Sequence, residues 1–185
     1  MVRDILDSKD SRLRLLSKPV KTIDKKITSL INDLKDTLIV QEDPEGIGLA
    51  APQIGKNLRI FIMKPGSEIT TIINPEILSV VKRRILSRKH PQGKKYALDS
   101  GKKIMEGCLS LPHYYGPITR AAKITIKYLD ENGKSVIKTF EKLDSQIIQH
   151  EIDHLNGALF VDRLIEQKKP LYEYVDGEWE KVELL

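Results

Sequence analysis

The nine residues Gln149–Gly157, QHEIDHLNG, constrain this chain more than any other stretch. On an α-helix His150 and His154 share one face, with Cβ atoms roughly 5–6 Å apart, close enough to grip one cation together. Glu151 projects about 100° around that helix from His150. It would stand beside the cation without binding it, where a carboxylate can take a proton from a water that the cation acidifies. The competing reading is a pair of core-facing histidines that happen to match HExxH. Leu143, Ile147, Ile148 and Leu155 fall on the same broad arc, so the triplet is expected among apolar residues. Unpaired ionisable groups are costly there and a cation removes the cost. Gly157 supplies a helix stop.

Two histidines leave such a site incomplete, because a catalytic centre of this kind usually takes three protein ligands. The pattern HExxHxxGxxH would provide a third histidine. The chain follows it to Gly157 and then has Phe160 in the last position, which disfavours that family of proteases. His90, His113 and Cys108 remain. Cys108 is preferred because it lies in EGCLSLP, Glu106–Pro112, an apolar segment between glycine and proline breaks that can hold a thiolate rigidly.

The surroundings read as one α+β domain spanning 1–185, with antiparallel strands packed around a central metal-binding helix. Its 185 residues and 40% hydrophobic content suffice for a proper core. After a charged, irregular lead-in, Met1–Val20, the apolar residues Ile27, Leu30, Ile31, Leu34 and Leu38 recur at helical spacing over about Asp24–Val40, with Thr22 or Asp24 as cap. Glu42–Asn57 is rich in small residues and suits neither a long helix nor a long strand. In it Gln53 carries an amide able to donate to a substrate oxygen. Short strands are expected at Arg59–Met63 and Ile69–Ile73, ended by Asn74 and Pro75. Lys123–Asp130 and Ser135–Phe140 alternate on a period of two around Asn132-Gly133, a hairpin that leads straight into the metal helix. The tail, about 171–185, reads as a further hairpin around Asp176 and Gly177.

The start lacks the apolar run of about 7–15 residues that a signal peptide needs, and nothing is long enough to span a membrane. A single cysteine cannot form an internal disulfide, which fits a reducing compartment. The cytoplasm is the expected location. The net charge of +5 favours polyanionic surroundings. The rival functional readings are a metallopeptidase with a carboxylate as third ligand, and a basic RNA-binding module with a structural metal.

Three segments, GIGLAAPQIG at Gly46–Gly55, EGCLSLP at Glu106–Pro112 and QHEIDHLNG at Gln149–Gly157, resemble in sequence and order the signature motifs of the peptide deformylase family. The resemblance implies that Cys108, His150 and His154 ligate the metal, typically Fe²⁺, with nickel, cobalt or zinc able to substitute. It makes Glu151 the acid and base, and Gln53 and the Leu109 N–H the oxyanion donors. The reaction implied is removal of the formyl group from the N-terminal formylmethionine of new polypeptides, giving formate. Ile47, Gly48 and Gly107 resemble the backbone edges that hold the peptide as an added strand. Leu111, Tyr115, Leu143 and Ile147 are candidates for the methionine pocket, and Glu45 with Arg120 resembles a structural pair. The implied partners are nascent formylated chains and, in some members, the ribosome, with no role for a membrane or DNA. The chain departs from the usual pattern in its long connection at about 79–105 and its hairpin tail.

That connection carries Lys82, Arg83, Arg84, Arg88, Lys89, Lys94, Lys95, Lys102 and Lys103 against Asp99 alone. A charge run of this kind is ordinarily a solvated loop; the sharper reading docks it on ribosomal RNA. Phosphate contacts weaken steeply with salt, so reversing the charges at Arg83, Arg84, Lys94 and Lys95 is expected to reduce ribosome co-sedimentation across a salt series. Turnover of a short formylated peptide should hold. Unchanged co-sedimentation would leave the solvated loop.

Overall fold

The computed structural model describes residues 1–84, 97–98 and 103–183, with the backbone alone for 82–84, 97–98 and 103–104. His90, Arg88, Lys89, Lys94, Lys95, Asp99 and Lys102 lie outside the described residues. The first helix, α1 (Lys25–Ile39), starts where its capping pattern predicts: the Asp24 carboxylate accepts from the N–H groups of Lys26 and Ile27. It buries Leu30, Ile31, Leu34 and Leu38.

Eleven strands follow in chain order among the described residues: β1 (Gly48–Ala50), β2 (Ile60–Met63), β3 (Thr70–Arg84), β4 (Ala97–Leu98), β5 (Lys103–Ile104), β6 (Glu106–Cys108), β7 (Leu111–Gly116), β8 (Ala121–Leu129), β9 (Ser135–Glu141), β10 (Leu171–Val175) and β11 (Glu178–Val182). They form a five-stranded sheet in the order β1-β2-β3-β8-β9, a four-stranded sheet in the order β11-β10-β7-β6, and the β4-β5 pair. All pairings are antiparallel. The metal-motif helix, α2 (Lys142–Leu155), leaves β9 without a linker. Its Ile147, Ile148, Ile152 and Leu155 pack with Phe61, Ile124, Ile126 and Phe140 of the large sheet. The α+β expectation therefore holds, with the motif helix at the centre.

Three features differ from the reading of the sequence. Asn74 and Pro75 do not end their strand: β3 runs on to Arg84 through a register shift between Ile73 and Glu76. The Asn74 side chain accepts from the Val20 N–H and donates to the Val20 carbonyl, both at 2.8 Å. The last β2 partner is Ile60 opposite Ile73, so the N–H missing from Pro75 costs no ladder bond on that side. A third helix, α3 (Phe160–Glu166), comes directly after the stop at Gly157. The lead-in is also more than a charged prelude. The N–H of Leu6 donates to the Gln53 carbonyl at 2.8 Å, that of Ser8 to Ser110 at 2.8 Å, and that of Ser17 to Leu155 at 2.9 Å. This one segment straps all three motif stretches together.

Gly157 is the tightest point of that strap. Its φ is +73°, and a Cβ built there would stand 2.5 Å from the Arg14 carbonyl oxygen. The expected effect of Gly157→Ala is a loss of about 1–3 kcal/mol, read as a fall in Tm of roughly 2–4 °C per kcal/mol in a chain of this size. An unchanged thermal transition would show that the strap yields without cost.

Candidate metal centre

Cys108 arrives from the end of β6, and His150 and His154 from successive turns of α2. Among the described residues these three form a buried group whose ligand atoms all lie within 4.8 Å of one another. The Cys108 Sγ and His154 Nε2 atoms are 3.2 Å apart, as are the two Nε2 atoms of His154 and His150. Nitrogens at about 2.0–2.1 Å and a sulfur at about 2.3 Å from a tetrahedral ion would stand roughly 3.3–3.6 Å apart, so the donor set fits a divalent cation. His113, the other described candidate, is exposed on β7 with φ +69° and takes no part.

Glu106 fixes the orientation of the first histidine. Its Oε1 is 2.8 Å from His150 Nδ1, and a carboxylate there favours a proton on Nδ1, leaving Nε2 free to ligate. Arg120 donates to Glu106 through Nε at 2.9 Å and Nη2 at 2.6 Å, and to Asp153 through Nη1 at 2.6 Å. Arg163 on α3 holds the outer side of Asp153 through Nε at 3.0 Å and Nη2 at 2.6 Å. Burial opposes ionisation of Glu106, but the charge and hydrogen bonds of Arg120, with His150, outweigh it and hold the carboxyl well below the usual range. Burial likewise opposes the Arg120 charge, and Glu106 and Asp153 reverse this to keep its pKa above that of a free guanidinium. Arg120, expected on Glu45, thus directs three nitrogens at Glu106 and Asp153.

Gln53 sits in a 3₁₀ turn, Ala51–Ile54, directly after β1. Its Oε1 accepts from the Ala50 N–H at 2.8 Å, which fixes the amide so that Nε2 faces Cys108 Sγ at 3.6 Å and Ser110 Oγ at 3.2 Å. Glu151 is pushed up to about 7 by burial, an effect that the His150 charge opposes. Its Oε2 is buried without a hydrogen-bond partner, an atom left for a group that the protein does not supply. A Cβ on Gly48 would stand 2.4 Å from Glu151 Oε1 and 3.1 Å from Ile147 Cγ2, so β1, Glu151 and Ile147 meet at one point.

The chain from residue 2 to residue 170 matches the family model described as polypeptide deformylase. It is 40% identical over 159 residues to the peptide deformylase of Halothermothrix orenii, covering 84% of this chain and 89% of that one. The fold superposes on a crystal structure of a peptide deformylase from Legionella pneumophila with a TM-score of 0.72 and 41% identity, covering 89% and 86% of the two chains. For the crystal structure of peptide deformylase from Thermotoga maritima the values are 0.74 and 32%, with coverage of 88% and 97%. The chain belongs to the peptide deformylase family. It is a metal-dependent hydrolase of N-formyl-methionyl peptides, and its Cys/His/His cluster can hold the divalent ion that deformylase chemistry needs.

The residues assigned to substrate divide into groups. Gly48 and Gly107 lie on β1 and β6, which are the terminal strands of the two sheets, and Ile47 is exposed just ahead of β1. Leu143 and Ile147 pack in the core between α2 and the large sheet. Leu111 packs instead with Cys108, Phe160 and Leu164, and Tyr115 lies over Gly107, whose Cβ would stand 2.6 Å from its ring. Leu109 packs against the α1 side of the core. Glu106, Asp153, Ser110 and Arg163 were not singled out by the sequence reading. The first has a legible signal, a carboxylate two residues before a thiolate ligand; the others show only as contacts.

Replacing Glu106 by Ala is expected to weaken metal affinity about 10–100-fold by freeing the His150 ring. Stability should fall as well, because Arg120 keeps only Asp153. Metal titration monitored alongside the thermal transition checks both, and an unaltered metal Kd would mean that the Glu106–His150 contact does not orient the ligand.

Proposed function

We infer that Cys108, His150 and His154 hold one divalent ion, Fe²⁺ being the one the family resemblance implies, and that Glu151 moves the proton of the reaction. The observation that carries this reading is the convergence of three ligand atoms beside a buried carboxylate oxygen with no partner. When bound, the ion supplies Lewis acidity, lowering the pKa of an attacking water from 15.7 toward about 7.

The residues then divide the work. Glu151 accepts the proton of the water as the oxygen attacks the formyl carbon, and returns it to the amine nitrogen as the C–N bond breaks, releasing formate and a free α-amine. Burial raises the Glu151 carboxyl above the ordinary carboxylate range, which favours its taking the proton from the water and later giving it up to the amine. Gln53 Nε2 and the Leu109 N–H donate to the developing oxyanion, and the hydrogen bond from Ala50 keeps the Gln53 amide turned the right way. The peptide lies as an added strand between β1 and β6, the end strands of their sheets, on the backbones of Ile47, Gly48 and Gly107. Its methionine enters on the α2 side, at Leu143 and Ile147. The absence of a side chain at Gly48 lets the substrate backbone approach Glu151.

The substrates on this reading are nascent formylated polypeptides met in the cytoplasm, handled by one catalytic domain. No helix among the described residues is long and apolar enough to cross a membrane. The ribosome as a direct contact is carried by the basic run at about 79–105.

The deciding experiment is anaerobic purification with metal analysis, followed by an assay of formate release from formyl-Met peptides by wild type and Glu151→Gln. The variant should bind metal like wild type and lose about 10²–10⁴ in turnover. Near-normal kcat in the variant would remove Glu151 from the proton path.

A further inference from the structure

We propose that Trp179, on the hairpin that closes the described chain, helps to select the residue that follows formylmethionine, by holding Tyr115 against the substrate edge at Gly107. This rests on the added-strand binding described above. The family match ends at residue 170, and β10 begins at Leu171, so the hairpin lies beyond what the family model covers.

The register places the groups. Gly107 pairs with Tyr115, Tyr115 with Tyr172, and Tyr174 with Trp179. Cross-strand partners share a face, and neighbours along a strand point to opposite faces. Gly107, Tyr115, Tyr172, Tyr174 and Trp179 therefore lie on one side of the four-stranded sheet. Glu106 and Gly116 lie on the other, against His150 of α2 and Leu164 of α3. The Trp179 ring meets Tyr115 edge-on, with centroids 5.3 Å apart at 76°, and stands 4.9 Å from the Tyr174 ring. Tyr115 in turn covers Gly107, leaving no room for a side chain there.

Side chains of an added strand alternate in the same way. With methionine entering on the α2 side, the side of Glu106, the next residue points to the opposite face and meets the Tyr115 ring, which Trp179 buttresses. That wall suits an apolar or aromatic side chain. On the hairpin, Lys181 pairs with Tyr172 and shares this face, while Glu173, Glu178 and Glu180 lie on the other, so no hairpin carboxylate borders the wall. Trp179 is a positioning residue, since it acts through Tyr115.

Trp179 is the only tryptophan of the chain, so its emission reports on this wall directly. The product peptides Met-Phe-Ala and Met-Gly-Ala would be titrated into the holoenzyme, where no turnover intervenes. In parallel, kcat/KM would be measured for formyl-Met-Phe-Ala and formyl-Met-Gly-Ala with wild type, Trp179→Ala and Trp179→Phe. The expected result is an emission change with Met-Phe-Ala. Trp179→Ala should lower the Phe-over-Gly preference about 3- to 10-fold through KM, leaving kcat on formyl-Met-Gly-Ala unchanged, and Trp179→Phe should restore most of it. An emission unmoved by saturating Met-Phe-Ala, or a preference equal in all three proteins, would overturn the proposal. Should the alanine variant fail to fold, the emission titration and the phenylalanine variant decide. Formate release by wild type from formyl-Met-Gly-Ala checks the underlying activity separately, so failure of one reading is not mistaken for failure of the other.

Discussion

The contact between Glu106 and His150 is the one on which the rest of the centre depends. It sits at the inner end of a chain of charges that runs through Arg120 and Asp153 to Arg163. Buried ion pairs of this kind often contribute little net stability compared with apolar residues of the same shape, so stability alone is a weak reason for the arrangement. Its geometry supplies a better one. Glu106 is two residues from Cys108, and Asp153 is next to His154. A single guanidinium therefore grips both the strand that brings the thiolate and the helix that brings the imidazoles. Breaking the grip would leave charges stranded in the interior and let the two elements drift apart.

Much of the fold and of the centre was legible because it depends on local periodicity or local spacing. The alternation of Lys123–Asp130 and Ser135–Phe140, the Asp24 cap and the two-histidine spacing each act within a few residues. What escaped was set by backbone groups or by distant partners. The N–H groups of Leu6, Ser8 and Ser17 that strap the motif segments are the same in any non-proline residue, so no residue type marks them. The helix Phe160–Glu166 is two turns long, too short for a periodic signal. Arg120 could have been paired with any carboxylate in the chain, and only the packing of α2 against β6 shows that its partners are Glu106 and Asp153. Asn74 and Pro75 read as a break because their composition is that of a turn; an amide fitted to the backbone of Val20 absorbs them into the strand.

A free sheet edge is ordinarily a hazard, open to pairing with any extended chain. Here β1 and β6 end their sheets, and each is only three residues long. Short edges flanking a metal centre offer enough backbone to register one peptide terminus and too little to recruit another copy of the sheet. Gly48 and Gly107 keep the approach clear from the two sides: at Gly48 a side chain would strike Glu151, and at Gly107 it would strike Tyr115.

The strap of residues 6–17 bears on how the molecule comes to be folded. It joins Leu6 to Gln53, Ser8 to Ser110 and Ser17 to Leu155, contacts whose separation along the chain grows at each step. Contacts so remote in sequence incur loop-closure entropy before they are rewarded, and they slow folding. The last of them cannot form until the helix that carries both histidines is in place. The early part of the chain thus waits on the rest, and its hydrogen bonds can tie the three motif stretches together only once each stretch is in place.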